Sequence, residues 1–458
     1  MSKRAFGEIS AGPEGADDDV ETSTVETGSS METVRFHSEL LPMYFGSLYP
    51  WFEVFRWLSA GHDPRDNKTR VVGEERMWTH REFSFTLADG AYLRYKSFDD
   101  VAEMRADALR LAPHKLDIGA VYSHLPKSRK NVRPSEFKPL MRELVFDVDI
   151  NDYDDIRLCC QGAKVCDQCW PLMSCAIEIV TTALKEDFGF KHFLAVFSGR
   201  RGVHVWCCDR AARELDDQSR SALVEYLNVF ESFDPVLVQC GSTFPHHSLT
   251  RAYNVCRRYM LQMDPLASDS LRRKLIEGAF PVGSDLRDRL LNSSEWKKFA
   301  TAEQRIEYLE NTCLKKNRRS ADGRRWLYAL VFRFCYPRLD LEVSKHRNHL
   351  LKAPFVVHPK TGLVCTPIDH NNLGQFSPLQ QPDLVQLTDE LANARKDGAN
   401  VGDASSDDIL GTDDVTRGEW RLTSLEPHVT FFRQRFLKPL LMSERAQSAR
   451  VHEPMTDW

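Results

Sequence analysis

ELVFDVDI, Glu143 to Ile150, is the stretch on which the fold turns. Leu144, Phe146, Val148 and Ile150 alternate with Val145, Asp147 and Asp149, the period of a strand whose two faces meet different surroundings. One face is core. On the other, two carboxylates stand about 7 Å apart, a repulsive pair that needs either water or a cation. A solvated strand face explains an isolated Asp-x-Asp, so the neighbouring motifs decide.

A third acid lies in YPRLDLEVS, Tyr336 to Ser344. Leu339, Leu341 and Val343 alternate with Arg338, Asp340 and Glu342, which predicts another strand with a carboxylate opposite core. Asp147, Asp149 and Asp340 on adjacent strands make a hard oxygen site suited to Mg²⁺ or Mn²⁺. The turn in FSGRRGVHVW, Phe197 to Trp206, adds phosphate-binding groups. Gly199 and Gly202 permit close backbone approach, Ser198 offers a hydroxyl, and Arg200 and Arg201 offer forked donors. His204 follows on the next strand. The bland alternative is a tight basic hairpin with a structural histidine. A second basic cluster, Lys345, Arg347, Lys352, His358 and Lys360, follows the third acid closely.

CCQGAKVCDQCW holds Cys159, Cys160, Cys166 and Cys169. Cys-x2-Cys is half of a common zinc pattern, and four thiolates close a tetrahedral structural site. Unliganded thiols in a reduced compartment are the alternative. The remaining cysteines, Cys207 and Cys208 among them, read as small buried hydrophobes.

Around these motifs the chain is a soluble α/β sequence. Its 458 residues, 42% of them hydrophobic, are enough for about two to four domains. No apolar run approaches the roughly 20 residues of a membrane span, and the amino end lacks a signal peptide. The formal charge of −5 conceals an uneven distribution. Residues 1–32 set eight acids against Lys3 and Arg4, and 401–416 hold five acids and no base. The rest is therefore basic, which permits a phosphate-bearing ligand.

The expected organisation is a disordered acidic tail over 1–33 and an α/β body over 34–210, with the cysteine motif at 159–169. A mostly helical insertion follows over 211–325, the body resumes over 326–392, and a disordered acidic loop over 393–417 precedes a helical C-terminal segment over 418–458. REFSFTLADGAYLRY reads as a hairpin around Asp89-Gly90. DDVAEMRADALRLAP and PLMSCAIEIVTTALKEDFGF read as helices. KKNRR at 315–319 reads as a solvated helix end or a basic nuclear signal.

Taken in order, REFSFTL, YLRYKSF, DIGAVYSH, ELVFDVDINDYDDIR, the four-cysteine motif, LKEDFGFKH, SGRRGVHVW, PRLDLEVSK and NHLLKAPFVVHPKTG resemble the small catalytic subunit family of archaeo-eukaryotic DNA primases in its eukaryotic form. The resemblance covers most of residues 36–392 and weakens over 235–325. It implies two mixed sheets flanked by helices, with a helical subdomain. The implied activity is template-directed synthesis of RNA primers on single-stranded DNA, started without a primer. By motif match, Asp147, Asp149 and Asp340 hold two Mg²⁺ or Mn²⁺ ions. Ser198, Arg200, Arg201, His204, Lys352 and His358 grip the ribonucleoside triphosphate, Arg94 lines its pocket and Asp117 meets the ribose. Cys159, Cys160, Cys166 and Cys169 hold a structural Zn²⁺. The implied partners are a large primase subunit and, through it, the catalytic and accessory subunits of DNA polymerase alpha, with nuclear localisation. Two other readings fit fewer of these features: a primase-like polymerase extending ends in repair, and a non-catalytic zinc-bearing scaffold.

Overall fold

Alternating apolar residues form two sheets in a computed structural model that describes residues 36–61, 76–229, 246–315, 321–399 and 418–451. The expected disordered tail 1–33, most of the acidic loop 393–417, and 316–319 of the basic run lie outside the described residues. Nine strands occur among those described: β1 Arg81–Thr86, β2 Tyr92–Lys96, β3 Lys115–Tyr122, β4 Pro139–Met141, β5 Leu144–Asp149, β6 Phe193–Phe197, β7 Gly202–Cys207, β8 Leu351–Lys352 and β9 Pro367–Ile368. The first sheet runs β2-β1-β3-β4, with β8 also pairing with β3; the second runs β5-β7-β6-β9. Every pairing is antiparallel, where mixed sheets were expected. The architecture of two sheets flanked by helices stands.

The second sheet has two apolar faces. Leu144, Phe146 and Val148 of β5 pack with Ala195, Val203 and Val205 against the helix Pro171–Phe188. That helix starts with Pro171 in its first turn, where a missing N–H is harmless, and ends at Gly189 in the left-handed region. Val145, Leu194, Val196 and Trp206 face the other way, into a core shared with the first sheet and with helices from both ends of the chain. Arg81 of β1 and Glu143 tie the sheets together through a fully buried pair at 2.8 Å.

The described residues form one compact unit. The helices His247–Met263 and Ala321–Cys335 continue the core that lies under β5 and β7. The expected boundary at 325/326 therefore falls inside a helix. Similarly, the helix Leu384–Lys396 extends past 393, because Leu391 is buried and Arg395 pairs with Glu419.

The clearest departure is at Asp340. The alternating stretch 336–344 is not a strand: Asp340 caps the short helix Leu341–Lys345, accepting a hydrogen bond from the Glu342 amide at 3.1 Å. An aspartate well placed to satisfy a helix amide outweighs a short alternation of apolar residues. The acid nevertheless stays beside β5, since its own amide donates to the Asp147 carbonyl at 3.0 Å.

Candidate active site

The register of β5 against β7 builds the site. Val145 lies opposite Trp206, Asp147 opposite His204 and Asp149 opposite Gly202. Along the face between the sheets, apolar pairs thus give way to polar ones towards the end of β5. Gly202 is required there: a Cβ would lie 2.3 Å from Asp149 Oδ1 and 2.6 Å from the Val148 carbonyl. Gly199 turns the chain at φ 84°, and a Cβ there would meet His358 at 2.7 Å.

Asp149 on β5 and Asp340 on its helix cap both lie close enough to Asp147 for their charges to act on it, although the three carboxylates do not converge within 4.8 Å as the four cysteines do. Burial, then the charges of Asp149 and Asp340, raise the Asp147 carboxyl well above the usual range. Its Oδ1 is buried without a hydrogen-bond partner. His204 Nε2 lies 3.6 Å from that oxygen, a contact too long for a hydrogen bond. An orphaned acceptor among three carboxylates fits a hard cation. Asp152, just beyond β5, adds a fourth acid whose pKa burial and Asp149 push up to about 6.

The cationic side has a distinct order. Arg201 Nε is bonded to Asp149 Oδ2 at 2.9 Å, so this arginine anchors an acid and presents only the rest of its fork outward. Arg200 stands beside it, half-buried. Ser198 Oγ accepts from the Gly202 amide at 3.0 Å and closes the turn. Lys352 Nζ donates to the Ser198 carbonyl at 3.2 Å, joining the two sheets, because β8 pairs Lys352 with Asp117 of β3. His358 Nδ1 accepts from the Lys360 amide at 3.1 Å. Burial and the charges of Lys352 and Arg200 lower its pKa to about 2. His358 is therefore neutral, with its proton on Nε2, available to an anionic oxygen. Burial, aided by Lys352, likewise lowers His204 to about 3.

On the first sheet, Ser84 donates to Asp117 Oδ2 at 2.8 Å, and burial raises the Asp117 pKa. Arg94 is clamped by Glu82, Nε to Oε1 at 3.0 Å and Nη2 to Oε2 at 3.2 Å. Several contributors escaped the sequence reading. Glu82 is wholly buried and also accepts from the Tyr95 amide at 3.1 Å. Tyr92 is 49% exposed, its hydroxyl 3.4 Å from Ser84 Oγ. Arg142, fully buried, donates to the carbonyls of Val343 and His346 at the end of the helix that Asp340 begins. The alternation of REFSFTL placed Glu82 on a strand without saying which arginine it would hold.

Cys159, Cys160, Cys166 and Cys169 also converge, with sulfurs within 4.8 Å of one another, a cluster that could hold a metal ion. Buried Arg157 ties their loop down, bonding the carbonyl of Lys164 at 2.8 Å and reaching Cys169 Sγ at 3.8 Å. Cys175, Cys256 and Cys335 make a second group within the same limit. These three are fully buried in the helical core, where burial raises their pKa values and keeps them as neutral thiols. A separate cleft of about 850 Å³, between the helix Pro171–Phe188 and residues 370–380, contains none of the site residues.

This geometry can be set beside known proteins. The family model for the DNA primase small subunit matches residues 146–370, from β5 to just past β9. The chain is 36% identical to the DNA primase small subunit of Schizosaccharomyces pombe, over 91% of this chain and 92% of that one. It belongs to the DNA primase small subunit family. It is 33% identical to the Saccharomyces cerevisiae member over 93% of this chain and 97% of the other. A Thermococcus kodakarensis member is 27% identical over 66% of this chain. Family membership makes the chain a primase enzyme of DNA replication, as the motifs imply, and agrees with the two antiparallel sheets flanked by helices.

Proposed function

We propose that this chain synthesises RNA primers de novo on single-stranded DNA by metal-assisted nucleotidyl transfer. The observation that carries the reading is the unpartnered buried oxygen of Asp147 beside Asp149 and Asp340, facing the Ser198–Gly202 turn and Lys352. Asp147, Asp149 and Asp340 would hold two Mg²⁺ or Mn²⁺ ions. Ions held there would supply Lewis-acid activation of the attacking hydroxyl and charge stabilisation of the departing pyrophosphate.

The side chains supply the rest. Arg200, Lys352 and the Nε2 proton of His358 bind the triphosphate oxygens, and the outer part of the Arg201 fork joins them. His204, neutral and beside Asp147, donates a hydrogen bond to a phosphate oxygen and does not act as a base. Asp117, oriented by Ser84, accepts from a ribose hydroxyl, a contact that favours ribonucleotides. Arg94, fixed by Glu82, borders the pocket. These groups place the α-phosphate in line with a 3′-hydroxyl, and pyrophosphate leaves. The reaction needs no covalent protein nucleophile.

In the same reading Cys159, Cys160, Cys166 and Cys169 hold a structural Zn²⁺. The chain works in the nucleus with a large primase subunit, and through it with the catalytic and accessory subunits of DNA polymerase alpha. The test is unprimed synthesis on a homopolymer DNA template with the matching labelled ribonucleotide and Mg²⁺ or Mn²⁺. Short RNA from the wild type and none from folded Asp147→Ala/Asp149→Ala supports the reading. Silence from the wild type, alone and with the large subunit, rejects it.

A further inference from the structure

The segment Pro126–Lys138, between β3 and β4, is absent from every role assigned so far. It carries Lys127, Arg129, Lys130, Arg133 and Lys138 against a single acid, Glu136. Outside the acidic stretches 1–32 and 401–416 the chain is basic, and these thirteen positions hold five of its bases against one acid. The segment is also well ordered. Ser123 closes its base, its amide donating to the Lys138 carbonyl at 2.9 Å while its Oγ accepts from the Lys138 amide at 3.0 Å. Phe137 is buried and stacked on Tyr122, with ring centroids 4.3 Å apart and planes 18° apart. The aromatic side of the loop faces inward, and the cations stay on the surface: Lys130, Arg133 and Lys138 are all exposed. Lys127 pairs with Asp99 at 2.7 Å, whereas Arg133 meets Glu136 only at 3.9 Å.

A second observation ties this loop to the nucleotide site. The Tyr95 ring meets two guanidinium groups, Arg94 at 4.9 Å from its centroid and Arg129 at 5.9 Å. Arg129 in turn lies 5.0 Å from the Phe137 ring. Tyr95 holds φ 57°, a left-handed conformation that a bulky residue adopts only when its surroundings impose it. The imposing group is Glu82, which accepts the Tyr95 amide and grips Arg94. One buried carboxylate thus fixes both the site arginine and the ring leading to the loop. From Asp117 to Tyr122 along β3 is about 17 Å, the length of about five phosphates on a stacked strand.

We infer that residues 126–138 form a track for the sugar-phosphate backbone of the nucleic acid engaged at the active site, joined to the nucleotide pocket through Arg129, Tyr95 and Arg94. The inference rests on the proposed polymerase reading. Exposed lysines and arginines on a rigid loop, continuous with the pocket, match a repeating anion better than a folded acidic surface. Contacts to phosphates fix register without reading sequence, which suits a template-directed enzyme. The backbone belongs either to the DNA template or to the new RNA strand.

The test compares full-length wild type with Lys130→Ala/Arg133→Ala/Lys138→Ala and with the charge-retaining Lys130→Arg/Arg133→Lys/Lys138→Arg. Binding to single-stranded DNA and to an RNA–DNA hybrid is measured across a salt series. Loss of three phosphate contacts makes the log–log salt slope for a single strand shallower by about 2, at about 0.7 per contact. The charge-retaining variant keeps the wild-type slope. In unprimed synthesis the alanine variant has a raised template KM with an unchanged ribonucleotide KM. A change confined to one ligand identifies the strand that follows the track. Equal slopes for wild type and alanine variant on both ligands overturn the inference, as does normal nucleic-acid binding with lost association of the large subunit, which makes this face a protein interface. The slopes decide the matter even if wild-type synthesis fails, so failure of the track is separable from failure of the polymerase reading.

Discussion

The two sheets contribute to one site in different ways. In the second sheet, every residue of β7 is buried and the register is regular, so His204 is fixed by strand pairing on both sides, and Asp147 and Asp149, on the edge strand β5, by pairing with β7 and by the Asp340 amide on the Asp147 carbonyl. In the first sheet, β2 is half-open and its pairing with β1 contains an irregularity. There, side chains do the fixing: Glu82 clamps Arg94, Ser84 holds Asp117, and Lys352 reaches across to the Ser198 carbonyl. Groups that hold charge in place rest on rigid pairing, and groups that meet a changing substrate rest on replaceable polar contacts.

The comparison is most strongly tested at the rigid end. Asp147→Asn should abolish primer synthesis, a loss on the order of 10³-fold or more in rate. The same change removes an uncompensated buried charge, so the metal-free variant should melt at or above the wild-type temperature. Gly202→Ala should reduce activity by about 10²-fold by displacing Asp149, and destabilise the fold by about 1–3 kcal/mol, read by denaturant titration. At the adaptable end the effects should be smaller. Glu82→Gln should leave most of the stability intact and raise the ribonucleotide KM several-fold more than it lowers kcat, because Arg94 loses its clamp while the acids keep theirs.

A further effect, confined to mildly acidic pH, lies outside both sheets. Burial lowers His428, in the C-terminal helical segment, to about 4. A histidine whose folded pKa lies below its unfolded value binds fewer protons folded than unfolded between about pH 6.5 and 4. Its contribution is complete above pH 6.5 and is lost as pH falls through that window, by up to about 3 kcal/mol. His428→Leu should flatten this part of the stability curve by that amount or less, as followed by denaturant unfolding at several pH values.

What the sequence revealed follows the same division. Residues fixed by period-two alternation or by a glycine turn were legible: Asp147, Asp149 and His204 on paired strands, Ser198, Arg200 and Arg201 in the turn. Asp340 was legible as an acid near β5 but not as a helix cap, because five apolar-alternating residues suit a strand as well as a short helix. Glu82, Arg142 and Arg157 were not legible as supports, since each holds a group distant in sequence or in a loop. Nor was the loop Pro126–Lys138 recognisable as ordered, because its order comes from Ser123 and from Phe137 stacked on Tyr122.

The proposed role of Asp147, Asp149 and Asp340 is to hold a cation. It is tested most directly by thermal unfolding of wild type and Asp147→Asn, each with and without Mn²⁺ after removal of bound metal. Mn²⁺ should raise the wild-type melting temperature, by the equivalent of about 2.7 kcal/mol at a hundredfold excess over Kd, and leave the variant unmoved. The metal-free variant should be at least as stable as the metal-free wild type. A wild type indifferent to Mn²⁺, together with a variant destabilised without metal, would contradict that role and make Asp147 a structural acid.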